Sequence, residues 1–148
     1  MTVTNDQLLE KIKLVVDKLM NLDMPEHDET LPAAEQISRG LVKRDLGIRE
    51  WDWPQGVGLY GLQKLNRYHN DGRYLDFFRD WYQENLKKGL PSKNVNTTAP
   101  YLPLVDLLDE LNDPVYETLC LDQAKWLMEN LPRTKEGGFQ HVTSAVGD

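Results

Sequence analysis

The sequence is poor in the residues that most often carry metal or nucleophile chemistry. It contains 148 residues with one cysteine and three histidines. A single cysteine excludes an internal disulfide, and the position of Cys120 in a predicted helix indicates a packed side chain rather than a nucleophile. His27, His69 and His141 lie far apart in the sequence and have no carboxylate or cysteine at ligand spacing. We therefore expect no metal site and no cofactor.

Basic charge and long apolar runs are also scarce. The net charge is -7, whereas proteins that bind phosphate backbones need clustered Lys and Arg, so we expect no nucleic-acid partner. No apolar run approaches the length of about 18 residues that a membrane span requires, and we expect no membrane partner. The first residues, Met1 to Lys13, lack the features of a secretory signal. These observations predict a cytoplasmic protein.

Runs of β-branched residues are nearly missing, and helical periodicity replaces them. The length suits one domain, so we predict a single all-α domain over residues 1–148. A first helix is predicted over residues 5–22, where Thr4 and Gln7 form a capping box. The apolar stripe of this helix comprises Leu8, Leu9, Ile12, Val15, Val16, Leu19 and Met20. A less regular helix is predicted from Pro32 to Val42.

Two helical hairpins are predicted in the rest of the chain. The first has a helix over residues 54–69 and a second helix that ends at Lys87-Lys-Gly. The second begins where Thr97 or Thr98 caps a helix that has Pro100 in its first turn, and it closes with a helix over residues 114–131. The predicted buried side chains of the second hairpin are Leu104, Val105, Leu107, Leu108, Leu111, Val115, Leu119, Ala124, Leu127, Met128 and Leu131.

The two hairpins are related by a weak internal repeat. Asn70-Asp-Gly-Arg-Tyr74 and Asn112-Asp-Pro-Val-Tyr116 stand 42 residues apart, and the same shift takes Leu62 to Leu104. A two-helix period of this length is typical of an open solenoid or of a closed toroid of helical hairpins. Both architectures normally need more repeats than this chain contains.

Three glycines in the first predicted hairpin helix match the spacing G-x-G-x-x-G. Gly56, Gly58 and Gly61 follow a proline rather than a β-strand, which argues against a dinucleotide site. Glycines at this spacing leave part of a helix without side chains, so we expect a neighbouring backbone or a ligand to approach there.

Three loops rich in aromatic and amide groups stand beside the predicted helices. They are Trp51-Asp-Trp-Pro, Asn94-Val-Asn-Thr-Thr and the segment 132–141, in which two glycines permit a sharp turn before His141. This chemistry favours a sugar site, although an ordinary surface loop is the alternative for the last segment. Asp52 is the only acidic residue in the first two loops, and helix capping is its expected role.

The loops resemble, in order and spacing, the N-terminal part of the unsaturated rhamnogalacturonyl hydrolases and their unsaturated glucuronyl relatives. The resemblance spans about residues 50–141, and Arg133-Thr-Lys-Glu-Gly-Gly-Phe-Gln-His is its most specific motif. It implies a six-hairpin α/α toroid, of which this chain forms part, with an oligosaccharide ending in an unsaturated uronic acid as the substrate. It also implies hydration of the C4=C5 double bond, with an aspartic acid protonating that bond.

The resemblance places the general acid in a Trp-x-Asp motif beyond Asp148, so we assign no catalytic residue in this chain. Some relatives carry a second active-site Asp where this chain has Asn96, and an amide can bind a hydroxyl but cannot act as a base. The substrate-binding residues that we expect are Trp51, Trp53, Asn96, Thr97, Gln140 and His141. Stacking on a sugar ring and packing at a helix start are alternatives for the two tryptophans.

The leading hypothesis is a glycoside hydrolase of the unsaturated glycuronyl type, inactive as 148 residues alone. The alternatives are another α/α-toroid sugar enzyme and a noncatalytic α-solenoid interaction module. We expect the loops at 51–55, 94–97 and 140–141 to converge. We also expect exposed apolar helix faces to favour self-association.

Overall fold

The computed structural model describes residues 4–22 and 47–141, which form helices and one isolated β-bridge but no strand. The chain divides into two compact units, residues 1–50 and 51–148. None of the described helices is long and apolar enough to cross a membrane. The helices are α1 (Asn5–Met20), α2 (Trp53–His69), α3 (Leu75–Lys88), α4 (Tyr101–Asp106), α5 (Leu108–Leu111) and α6 (Pro114–Glu129).

Helix α1 belongs to the first unit, and its predicted capping box is confirmed. The Thr4 side chain accepts a hydrogen bond from the Gln7 N–H, and the Gln7 side chain accepts one from the Thr4 N–H. Val16 is the only buried residue of the helix in the described structure, and the predicted stripe residues Leu8, Leu9 and Val15 are exposed. The helix predicted from Pro32 to Val42 lies outside the described residues.

Helices α2 and α3 form the first predicted hairpin. The Asp52 side chain accepts a hydrogen bond from the Trp53 N–H, which confirms its capping role, and Pro54 lies in the first turn of α2. Gly89 follows α3 with a φ of 89°, a left-handed value that glycine adopts without strain. The Asp52 cap at the start of α2 and Gly89 after α3 thus mark the two ends of the hairpin.

The second hairpin corrects one prediction about helix capping. Pro100, with no side-chain cap, precedes α4. Thr97 and Thr98 lie in a short 3₁₀ turn (Asn96–Thr98), and their hydroxyls donate to Ser92 and Asn94 carbonyls. The prediction that a threonine caps this helix was therefore wrong, because both hydroxyls hold the preceding loop together instead.

The repeat of 42 residues is confirmed at the hairpin turns. Asn70 ends α2 with φ 50°, and Asn112 ends α5 with φ 48°, and these are the two non-glycine residues with positive φ in the described structure. Asparagine tolerates this left-handed conformation better than most residues do. Both hairpins thus turn by the same device at equivalent positions.

The buried face of α6 differs from the predicted one. Tyr116, Cys120 and Gln123 are buried, whereas Val115 and Met128 are largely exposed. The spacing of the buried residues is still helical, but the face is rotated to include a tyrosine, a cysteine and an amide. Hydrophobicity alone misplaced the face because this helix is apolar on more than one side.

The core of the second unit is aromatic at its centre and aliphatic around it. Trp51 stacks on Trp81 at a centroid distance of 5.2 Å, and its ring also meets the edges of Tyr82 and Tyr101. The Tyr82 hydroxyl donates to the Pro100 carbonyl over 2.9 Å. Helix α2 packs on α4, and α4 packs on α6. The other fully buried apolar side chains include Phe78, Leu59, Leu62, Leu104 and Leu107.

Gly56 provides the close approach that the glycine spacing predicted. A Cβ atom at this position would lie 2.6 Å from the Ala99 carbonyl carbon and 2.7 Å from the Pro100 nitrogen. At Gly61 no backbone approaches, because a Cβ atom there would meet no protein atom within 4 Å. Gly56 therefore lets α2 lie directly against the segment that leads into α4.

Candidate functional site

Trp51 connects the first of the three loops to the second. Its indole Nε1 donates a hydrogen bond to the Thr97 carbonyl oxygen over 2.8 Å. Only 6% of Trp51 is exposed, and its ring is enclosed by the aromatic core. Of the two alternatives for this residue, the structure shows packing at a helix start, because the ring has no free face on which a sugar could stack.

The second loop is held in shape by its own side chains. The Asn94 Oδ1 atom accepts hydrogen bonds from the N–H groups of Asn96, at 2.8 Å, and Thr97, at 3.0 Å. The Thr97 hydroxyl accepts from the Asn94 N–H over 3.0 Å. Thr97 is buried, and its hydroxyl forms hydrogen bonds within the loop. These bonds explain why an Asn-x-Asn-Thr sequence forms a compact turn here.

A buried amide from α6 also holds this loop. The Gln123 Nε2 donates to the Thr98 hydroxyl oxygen over 2.7 Å, and Gln123 is only 2% exposed. Sequence reasoning missed Gln123 because it assigned only apolar residues of this helix to the buried face. The available signal was its spacing of seven residues from Tyr116, which places both on one helical face.

The third loop is a small hairpin that follows α6. Arg133 and Phe139 form an antiparallel bridge, and Gly137 takes a left-handed φ of 88° at the turn. The Arg133 guanidinium donates to the Gly137 carbonyl over 3.0 Å and lies 4.2 Å from the centroid of the Phe139 ring. Two adjacent glycines and an arginine thus produce the sharp turn that was predicted.

The third loop places His141 in contact with the second loop. His141 Nε2 lies 3.1 Å from Asn96 Oδ1, within hydrogen-bond distance although 45 residues separate the two in sequence. Together with the bond between Trp51 and Thr97, this contact joins all three loops. The predicted convergence of the loops is confirmed.

The remaining candidate residues differ in their availability. Trp53 is 50% exposed at the start of α2, so its ring is accessible to a ligand. Gln140 is half-buried, its backbone N–H donates to the Pro132 carbonyl, and its side-chain Nε2 lies 3.5 Å from the Arg133 carbonyl. His141 is exposed. Asn96 is half-buried, so among the candidate residues His141 is the exposed polar side chain and Trp53 is the accessible aromatic ring.

The contacts between the loops are hydrogen bonds, and neutral groups lie in the core behind them. Burial raises the pKa of the Tyr101 hydroxyl to about 12 and the pKa of the Cys120 thiol to about 11. Both groups stay protonated at neutral pH, and the burial of Cys120 confirms the prediction of a packed side chain. Residues 4–22 and 47–141 contain no group of three or more side chains suited to hold a metal ion.

Antiparallel helical hairpins with converging loops agree with the predicted part of an α/α toroid. The chain belongs to Glycosyl Hydrolase Family 88, which it matches over residues 34–146. It is 30% identical over 107 residues to the unsaturated rhamnogalacturonyl hydrolase YesR of Bacillus subtilis, an alignment that covers 72% of this chain and 31% of the relative. The family resemblance drawn from the loops is thereby confirmed.

Two solved structures share the fold. One is a possible member of the GH105 family from Salmonella enterica serovar Paratyphi A, with 33% identity and a TM-score of 0.77. The other is a possible GH105 member from Klebsiella pneumoniae, with 30% identity and a TM-score of 0.78. Each alignment covers 98% of this chain and 37% of the neighbour. The all-α toroid class is confirmed, and the chain spans about a third of the length of these relatives.

Proposed function

We propose that this chain forms part of a glycoside hydrolase that acts on oligosaccharides ending in an unsaturated uronic acid. The observation that carries the proposal is the contact between the exposed His141 and the half-buried Asn96, which joins two loops through polar side chains. The similarity to an unsaturated rhamnogalacturonyl hydrolase supports this substrate class. Asn96, Gln140 and His141 bind the sugar, Thr97 holds the loop that carries Asn96, and Trp53 supplies an accessible ring.

The proposed reaction is hydration of the C4=C5 double bond of the terminal uronic acid. Water adds across the bond, a carboxylic acid supplies the proton, and the glycosidic bond breaks by rearrangement. A carboxyl can serve as this acid at neutral pH only if burial keeps it protonated. The described loops offer only Asp52 and Glu136 as carboxyls, and Asp52 caps α2. We assign the acid to a position beyond Asp148, so the 148 residues alone are inactive.

The cellular role follows from the substrate. Unsaturated uronides of this kind are intermediates of pectin degradation, and we place the enzyme in the cytoplasm.

We further propose that residues 1–148 form one all-α domain. Exposed apolar side chains on α4 and α6 favour self-association of the isolated chain. These side chains include Leu102, Val105, Leu121 and Met128.

The experiment that tests the proposal exchanges matching segments between relatives. In a chimera, residues 51–141 of this chain replace the corresponding segment of YesR. Cleavage of an unsaturated rhamnogalacturonan disaccharide is then measured as the loss of the double-bond absorbance. We expect the chimera to be active, and we expect His141→Ala to lower kcat/KM by about 10- to 100-fold, which is the effect of losing a hydrogen bond to a charged substrate.

A matched variant separates binding from folding in this chimera. His69→Ala removes a histidine at the end of α2, away from the three loops. We expect this variant to keep the activity of the unchanged chimera. A folded chimera in which His141→Ala and His69→Ala have equal effects would refute the assignment of His141.

A further inference from the structure

We propose that Gln123 and Thr98 are positioning residues that set the orientation of Asn96 toward His141. Their importance for catalysis rests on the proposed function, because Asn96 and His141 are the groups assigned to the sugar. Neither Gln123 nor Thr98 is among the substrate-binding residues expected from the sequence. A chain of hydrogen bonds begins in α6 and ends at the Asn96 backbone.

Three consecutive hydrogen bonds make up this chain. The Gln123 Nε2 donates to the Thr98 Oγ1 over 2.7 Å, and the Thr98 hydroxyl donates to the Asn94 carbonyl over 2.8 Å. The Asn94 side-chain Oδ1 then accepts from the Asn96 N–H over 2.8 Å. Each of these bonds is buried or half-buried, so water competes poorly with it.

The donors and acceptors fix the polarity of the chain. A hydroxyl has one proton, and the Thr98 proton is given to the Asn94 carbonyl. The remaining capacity of the Thr98 oxygen is to accept, and the Gln123 amide supplies the proton that it accepts. The bond from α6 therefore reinforces the Thr98 rotamer that holds Asn94 in place.

The anchor lies on a rigid element remote in sequence from the loop. Gln123 stands 25 residues from Thr98 and is 2% exposed on the buried face of α6. The bonds from Asn94 to Asn96 and Thr97 are local, and the Trp51 indole holds the loop at one point, the Thr97 carbonyl. The buried helical donor Gln123 adds a second fixed point at Thr98, and preorganised binding groups of this kind reduce the cost of ordering on ligand binding.

The test follows the hydrogen bond between Asn96 and His141 by NMR in the 148-residue chain. Asn96→Ala removes this bond outright and supplies the reference positions of the His141 ring signals without it. Thr98→Val removes the hydroxyl but keeps the shape of the side chain, and we expect the His141 ring signals to move at least about halfway to their positions in Asn96→Ala. Thr98→Ser keeps the hydroxyl, and we expect it to restore the unmodified signals.

Thr118 supplies a matched control on α6. Its hydroxyl also donates to the carbonyl four residues earlier, that of Pro114, over 3.0 Å. Thr118→Val therefore removes an equivalent bond away from the loops, and we expect unchanged His141 signals. Equal His141 signals in folded Thr98→Val and in the unmodified chain would overturn the proposal.

A second variant breaks the same chain at its other end. Gln123→Met keeps the length of the buried side chain and removes the donor, and it decides the matter if Thr98→Val does not fold. The proposal requires Gln123→Met to shift the His141 ring in the same direction as Asn96→Ala, and an unmoved ring contradicts it. These signals are recorded without sugar, so the result is independent of whether the site binds an unsaturated uronide.

Discussion

The indole nitrogen of Trp51 and the carbonyl oxygen of Thr97 lie 2.8 Å apart although 46 residues separate them in sequence. This bond joins the start of α2 to the loop that carries Asn96. Because Trp51 is also stacked in the aromatic core, this bond ties the loop to that core. Trp51 thus connects the site to the core.

Removal of the Trp51 donor should therefore destabilise the chain. Trp51→Phe keeps an aromatic ring in the core but leaves the Thr97 carbonyl without its partner. We expect the free energy of unfolding to fall by about 1 to 3 kcal/mol, the usual penalty for an unpaired buried polar group with some loss of packing. Denaturant unfolding of the purified chain measures this difference.

Trp53→Phe is the matched control for this substitution. Trp53 lies two residues away and is 50% exposed. We expect its replacement to change the free energy of unfolding by less than about 0.5 kcal/mol. Equal losses in the two variants would show that the bond to Thr97 contributes nothing to stability.

Two glycines of α2 should respond in opposite ways to replacement by alanine. At Gly56 a Cβ would lie 2.6 Å from the Ala99 carbonyl carbon, so Gly56→Ala should destabilise the chain by about 1 to 3 kcal/mol. At Gly61 a Cβ meets nothing within 4 Å, so Gly61→Ala should stabilise it by up to about 1 kcal/mol through helix propensity. Thermal unfolding distinguishes the two, and a shift of the same sign in both would contradict the described packing.

Because the Cys120 thiol is buried, we expect the free energy of unfolding to fall at high pH. Burial raises the pKa of its thiol from 9.0 to about 11, so the unfolded chain loses the proton first as pH rises. The stabilisation from this group is fully present below about pH 9 and is lost as pH rises toward 11. The stability difference between the unmodified chain and Cys120→Ala should shrink by about 2 kcal/mol over that interval. A difference in the free energy of unfolding that stays constant from pH 9 to 11 would contradict this prediction.

Much of the local structure was predictable because short-range chemistry determines it. The capping box at Thr4, the Asp52 cap and the turns at Asn70 and Asn112 each follow from residue types at fixed spacing. The convergence of the three loops was also predicted, since equivalent positions in related hairpins lie at the same end. The family was recognised because the residue types and spacing of the loop motifs resemble those of its members.

The parts that sequence reasoning missed depend on contacts between distant segments. Nothing local shows that Gln123 turns inward, because its orientation is set by the packing of α6 and by Thr98. Thr97 and Thr98 looked like helix caps, yet their hydroxyls are satisfied by carbonyls of the preceding loop. Trp51 had two plausible roles, and only the positions of Trp81 and Tyr101 distinguish them.

The most direct test of the central claim is an NMR titration of the 148-residue chain with 4,5-unsaturated galacturonic acid. The account predicts weak, saturable binding with the largest shifts at Asn96 and His141, whose polar atoms lie 3.1 Å apart. His141→Ala should abolish those shifts at Asn96, whereas His69→Ala should leave them unchanged. Saturable shifts that avoid both loops, or equal shifts in the two variants, would contradict the assignment of these loops to the sugar.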